Sequence, residues 1–126
     1  MLEFVIEKKT DEEIISVSVK PNDKNAIATY NVERILECYS AKYLRKKISI
    51  LDYKKLCDEI ETLSFEKVFA ENKGRLILDG WTLRFAIQSG STVLKVEVQC
   101  PDENAQVPET AKLLTFCKKI FALVEA

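Results

Sequence analysis

Leu2, Phe4 and Ile6 alternate with Glu3, Val5 and Glu7, and after Thr10 to Glu13 the residues Ile15, Val17 and Val19 alternate with two serines and Lys20. Successive side chains of an extended chain project to opposite faces, so this period of two predicts two strands joined as a hairpin, each burying one face. Pro21 to Asn25 is turn chemistry, because proline presets its backbone angle and Asn or Asp tolerates left-handed backbone; a third strand over about 26–30 then runs back. Residues 31–47 fit two patterns. Val32, Ile35, Leu36, Tyr39, Tyr43 and Leu44 are spaced for a helix, whereas 35–43 is rich in the aromatic and branched residues of a strand. The strand reading is preferred because Ser49 to Asp52 reads as a helix start. There the serine oxygen can accept from a first-turn amide, and Asp52 favours the positive helix end.

From Ile50 to Leu63 the apolar positions Tyr53, Leu56, Cys57, Ile60 and Leu63 recur every three or four residues, with Lys54, Lys55, Asp58, Glu59 and Glu61 between them. This predicts an amphipathic helix laid on a sheet. Phe65, Val68 and Phe69 are expected to continue into the core, and Asn72 to Gly74 closes the segment. Leu76 and Leu78 lead into Asp79-Gly80, a hairpin signal because both residues accept positive φ. Trp81, Leu83, Phe85 and Ile87 share one face opposite Thr82, Arg84, Ala86 and Gln88. After Ser89 to Ser91, the residues Leu94, Val96 and Val98 oppose Lys95, Glu97 and Gln99. This is the pattern of an antiparallel meander buried on one side, ended by Cys100-Pro101. Pro108 suits the first position of a helix, and Leu113, Leu114, Cys117, Ile120, Phe121 and Val124 form its apolar stripe. The elements predict one α+β domain over 1–126: a mainly antiparallel sheet of about five to seven strands with two amphipathic helices packed on one face.

Composition narrows the function more than the fold. At 126 residues, 47% hydrophobic and 31% charged, with three Gly and three Pro, the chain is the size and type of a single ordinary core. The net charge is -1, with eleven basic and twelve acidic residues up to position 63 and eight of each beyond it. That balance leaves no electrostatic footprint for duplex DNA or an anionic membrane. The local cluster Lys42, Arg45, Lys46 and Lys47 reads as a solvated strand or loop end, with contact to phosphate or an acidic partner as the alternative. No apolar run approaches the roughly 18 residues of a membrane span, and the charged, alternating N-terminus is unlike a signal peptide, so a cytoplasmic protein is expected.

Cys38, Cys57, Cys100 and Cys117 form no CxxC pair and read as reduced structural thiols, with no metal site expected. The chain contains no histidine, which removes Ser-His-Asp, Cys-His and His-metal chemistry, and it has neither GxxxxGK[ST] nor GxGxxG. No cofactor is expected and no catalytic residue is assigned. Carboxylate chemistry is the enzymatic route left open. Asp11, Glu12 and Glu13, like Asp58, Glu59 and Glu61, read as solvated charge, and Asp79 is accounted for by its turn. Trp81 reads as core, with ligand stacking or an interface anchor as the alternatives. An RNA-binding sheet would need exposed aromatics with basic neighbours, and Thr82, Arg84, Ala86 and Gln88 supply none.

From Ser49 onward the order helix, LxLDGWTLxFxI, hairpin, VxVxCP, polar loop and C-terminal helix resembles small bacterial immunity proteins of toxin systems and related bacterial proteins. The resemblance covers residues 49–124. It implies a small α+β protein that binds and blocks a cognate toxin, and it transfers no contact residue, because the contact surfaces of such proteins vary. The expected function is therefore a non-enzymatic, cytoplasmic protein-binding module, an immunity protein acting by occlusion. The alternatives are an interaction protein of a phage or mobile element, a carboxylate enzyme, or a small ligand-binding domain. Tyr30, Tyr39, Tyr43 and Arg45 are the candidate partner-binding residues, since aromatic and Arg side chains anchor interfaces. A deep cavity with an inward acid would favour the enzyme or ligand-binding domain, and a filled core with an open, tyrosine-bearing sheet face the binding module.

Overall fold

A computed structural model of the chain describes residues 2–34, 39–72, 81–99 and 108–125. The elements run β1 (Leu2–Lys9), β2 (Glu13–Pro21), β3 (Asn25–Arg34), β4 (Tyr39–Ser49), α1 (Ile50–Thr62), α2 (Phe65–Asn72), β5 (Thr82–Ser89), β6 (Thr92–Gln99) and α3 (Pro108–Glu125). The strands form one six-stranded sheet in the order β4-β3-β2-β1-β5-β6, antiparallel at every step. A four-stranded meander comes first, and the β5–β6 hairpin returns after α1 and α2 to pair with β1 on its free side. The chain is a single α+β fold, as its patterning predicts.

Period-two alternation decides which side of the sheet carries the helices. Phe4 and Ile6, Val17 and Val19, Ala26 to Val32 at even positions, Ile48, Leu83, Phe85, Ile87 and Val98 all point to one side and are buried there. Onto them pack Tyr53, Leu56 and Ile60 of α1, Val68 of α2, and Leu113, Phe116, Cys117, Ile120 and Val124 of α3. At the centre Phe85 stacks on Phe4 and Phe65 and meets Phe116 edge-on, joining two strands to two helices. The Tyr53 hydroxyl donates to the Leu2 carbonyl, which fastens α1 to the first strand. Burial pushes the Cys117 thiol up to about 12, consistent with its reading as an inert hydrophobe.

The described residues also correct the sequence reading. Within the ambiguous 31–47 stretch the described residues are extended, in line with the preferred strand reading: β3 runs on past Tyr30 to Arg34, and β4 begins at Tyr39 with a register shift opposite Val32 and Glu33. The described residues form three helices rather than two, because the first ends at Thr62 with Leu63 as its C-cap and a separate α2 starts after Ser64, whose hydroxyl accepts from the Lys67 N–H. Phe69 does not join the core. It is 68% exposed, because α2 turns Val68 inward and carries Phe69 to the outer side. Trp81 is half-buried, with the Lys8 ammonium 4.5 Å from its ring centre. The expected strand before Asp79, the Asp79-Gly80 turn, Cys38 and the Cys100-Pro101 strand end lie outside the described residues.

The start of α1 follows the sequence reading closely. Ser49 Oγ accepts from the Asp52 N–H at 3.1 Å, supplying a partner to one of the amides that a helix start leaves unpaired. Ser49→Ala is expected to lower stability by about 1 kcal/mol, and Ser49→Asn to restore most of it, as read by urea denaturation.

Candidate functional site

The three helices among the described residues pack on one side of the sheet, and no described element covers the other, open side. It displays Glu3, Val5, Glu7 and Lys9 from β1, Ser16, Ser18 and Lys20 from β2, and Ile27, Thr29 and Asn31 from β3. Tyr43, Arg45 and Lys47 come from β4, Arg84, Ala86 and Gln88 from β5, and Val93, Lys95 and Glu97 from β6. The register lines up Arg45, Thr29, Ser18, Val5, Ala86 and Lys95 as one row across all six strands. Small side chains occupy the middle of that row and long cationic ones its ends, while the neighbouring rows carry Glu3, Lys20, Glu7 and Arg84 across the middle of the face. Five strand spacings make it about 24 Å wide, and eight-residue strands make it about 26 Å long.

Three open depressions lie along it. The first, about 540 Å³, is lined by Val5, Glu7, Arg84, Ala86, Lys95 and Glu97, among others. Another, of about 380 Å³, adjoins it and shares Val5, Ala86 and Lys95. A third, of about 410 Å³, lies over β2–β4 and is lined by Ser18, Lys20, Pro21, Asn22, Ile27, Thr29, Tyr43 and Arg45. None of the depressions found among the described residues is a closed chamber with an acid aimed inward.

The two halves of the face differ in charge. On β1, β5 and β6, Arg84 donates to Glu7 at 3.1 Å and Glu97 at 3.3 Å, so acids and bases are interleaved and partly satisfied. These pairs are exposed and contribute little to stability. On β2–β4, Lys20, Arg45 and Lys47 are exposed and make no ion pair among the described residues, and Glu33 is the carboxylate at the far end.

The structure separates the candidate binding residues. Tyr43 and Arg45 stand side by side on the open face, and Tyr43 is 60% exposed. Tyr30 does not belong to that surface. It is 4% exposed on the helix side, where its hydroxyl donates to Glu125 at 3.2 Å and the Lys42 ammonium lies 5.7 Å from its ring centre. Burial, then the neighbouring Glu125 charge, pushes its hydroxyl above the ordinary tyrosine value. Even positions of β3 face the helices, and Tyr30 falls on one. Tyr39 lies at the start of β4, with its side chain outside the described residues.

The basic cluster is divided in the same way. Lys42 and Lys46 point to the helix side, where Lys46 Nζ donates to the Leu123 carbonyl at 2.8 Å near the end of α3, a favourable place for a cation. Arg45 and Lys47 point outward. Sequence reasoning missed Lys20, Lys47 and Lys95 as members of the face, although strand parity held the signal: once 39–49 is a strand, Tyr43, Arg45 and Lys47 must share a side.

No family model matches the chain, and no curated protein matches it. No helix among the described residues is long and apolar enough to cross a membrane.

Proposed function

We propose that this chain is a non-enzymatic protein-binding module that seats a partner protein on the open face of its sheet. In this reading the partner is a toxin, silenced by occlusion in the manner of the immunity proteins that residues 49–124 resemble. One observation carries it: a six-stranded face with a continuous floor of Ser16, Ser18, Thr29, Val5 and Ala86, bordered by exposed Tyr43 and Arg45, opposite a side filled by helices. Its footprint of about 600 Å² approaches the roughly 800 Å² that each partner contributes to a stable interface. Tyr and Arg are also the residue types that most often carry binding energy.

The test starts with tagged protein as bait in the native host's lysate, followed by reconstitution of the recombinant pair. A stoichiometric complex is expected, together with growth arrest by the partner alone and rescue on co-expression. Ser18→Arg and Ala86→Arg place a long charged side chain in the floor and are expected to weaken the complex at least about a hundredfold, with the far-UV circular dichroism and melting curve retained. Recovery of bait alone, or a complex indifferent to both substitutions, would sink the proposal.

A further inference from the structure

Resting on that reading, we infer that the β2–β4 half of the open face is a seat for carboxylates, and that the occupant is an acidic segment of the partner protein. The chemistry of the 410 Å³ depression points there. Its polar lining is dominated by donors: the Ser18, Thr29 and Tyr43 hydroxyls, the Lys20 ammonium and the Arg45 guanidinium, with no carboxylate among the lining residues. Lys47 extends the same row of β4. The Asn22 side-chain oxygen accepts from the Asp23 N–H at 2.9 Å, and its NH₂ adds two donors.

The contrast with the neighbouring depression is chemical. There Arg84 is held between Glu7 and Glu97, so its charge is already answered, whereas Lys20, Arg45 and Lys47 face outward without ion pairs among the described residues. An overall net charge of -1 conceals this patch: acids such as Asp52, Asp58 and Glu61 lie on α1, on the opposite side of the sheet, while on the open face Glu3 stands across from Lys20 on β1 and Glu33 at the far end of β3, neither of them lining the depression. A guanidinium offers a planar fork to a carboxylate, and adjacent hydroxyls can complete its coordination. Phosphate would suit the donors too. A nucleic-acid occupant would call for bases stacked on several aromatics, and Tyr43 is the one aromatic in the lining. The acidic protein segment is therefore the better match.

The probe is a capped octaglutamate peptide titrated into the full-length protein and followed by backbone amide NMR, with octalysine and an eight-nucleotide oligothymidylate in parallel. Octaglutamate is expected to shift amides around Lys20, Thr29, Tyr43 and Arg45, and to lose its effect in high salt. Arg45→Glu with Lys47→Glu is expected to weaken it at least about tenfold, while Lys95→Glu across the sheet changes it less than about twofold. Arg45→Gln with Lys47→Gln repeats the test with a milder change, should the double reversal perturb the fold. The inference is overturned by absent or scattered shifts, by equal sensitivity to Lys95→Glu, or by oligothymidylate acting on the same amides at lower concentration. The reconstituted complex separates the two readings. Loss with Ser18→Arg but not with Arg45→Glu and Lys47→Glu would remove the acidic seat and keep the docking face, and indifference to all of them would remove both.

Discussion

Phe85→Ala is expected to cost about 3–5 kcal/mol in urea denaturation, the largest loss of any single substitution considered for this fold. Phe85 is 1% exposed, and its ring lies 5.6 Å from that of Phe65, 6.2 Å from Phe4 and 5.9 Å from Phe116, centre to centre. Truncation removes the burial of a full aromatic side chain and leaves a cavity walled by β1, α2 and α3, which tertiary packing prevents from closing. Against a typical total of about 5–15 kcal/mol, such a loss consumes a third of the stability or more. Phe85→Leu refills most of the volume and is expected to cost less than half as much. A loss below about 1 kcal/mol for the alanine variant would show that the aromatic cluster is not where the layers are joined.

Glu71→Ala is expected to cost about 2 kcal/mol at neutral pH, by removing a lock between α2 and α3. The Glu71 carboxylate, near the end of α2, accepts from the Glu109 N–H at 3.2 Å, the Thr110 N–H at 2.9 Å and the Thr110 hydroxyl at 2.8 Å. It thereby serves two of the amides that the first turn of α3 leaves unpaired and sits at the positive end of that helix. The arrangement is reciprocal, since the Glu109 carboxylate accepts from the Ser64 N–H at 3.4 Å ahead of α2. Desolvation raises the Glu71 carboxyl, but the bonds from Thr110 and Glu109 and the nearby Lys67 charge outweigh it, so its value lies below the ordinary 4.5.

A folded-state value below the unfolded one means that folding favours the ionised form. The contribution is therefore complete above the ordinary carboxyl value and is lost as pH falls through the lower folded one. The gap between wild type and Glu71→Ala is expected to be constant near neutrality and to narrow below about pH 4.5, as measured by denaturation at a series of pH values. A gap unchanged down to the acid limit would mean that the charge has no part in the lock.

How much of this was legible in the chain depended on the range of the interaction. Strand faces such as Leu83, Phe85 and Ile87 against Arg84 and Ala86 are local alternations, and the structure follows them. Ser49 and Asp52 announced α1 because a cap is made within one turn. The same local rules missed Phe116, which joins the aromatic cluster from a helix whose stripe was drawn through Leu113 and Cys117. They also placed Phe69 in the core, since its spacing from Phe65 does not say how α2 would tilt. The Glu71 lock left no local signal, because its partners lie 38 and 39 residues further on.

The open face divides in the same way. Tyr43 and Arg45 were legible as interface-type residues, but Tyr30 carried the same chemistry and lies under α3. Only strand parity in the assembled sheet distinguishes them. By itself the sequence determined the fold class, the buried side of strands such as β1, β2 and β5, and the absence of histidine and nucleotide-loop chemistry, since these depend on residue type and short-range spacing. The tertiary structure alone decided the strand order, with β5 beside β1. It brought Lys20 to the same face as Arg45 and Lys47, across β3, a face that no described element covers, because contacts between distant segments depend on how whole elements pack, which no short window of residues encodes.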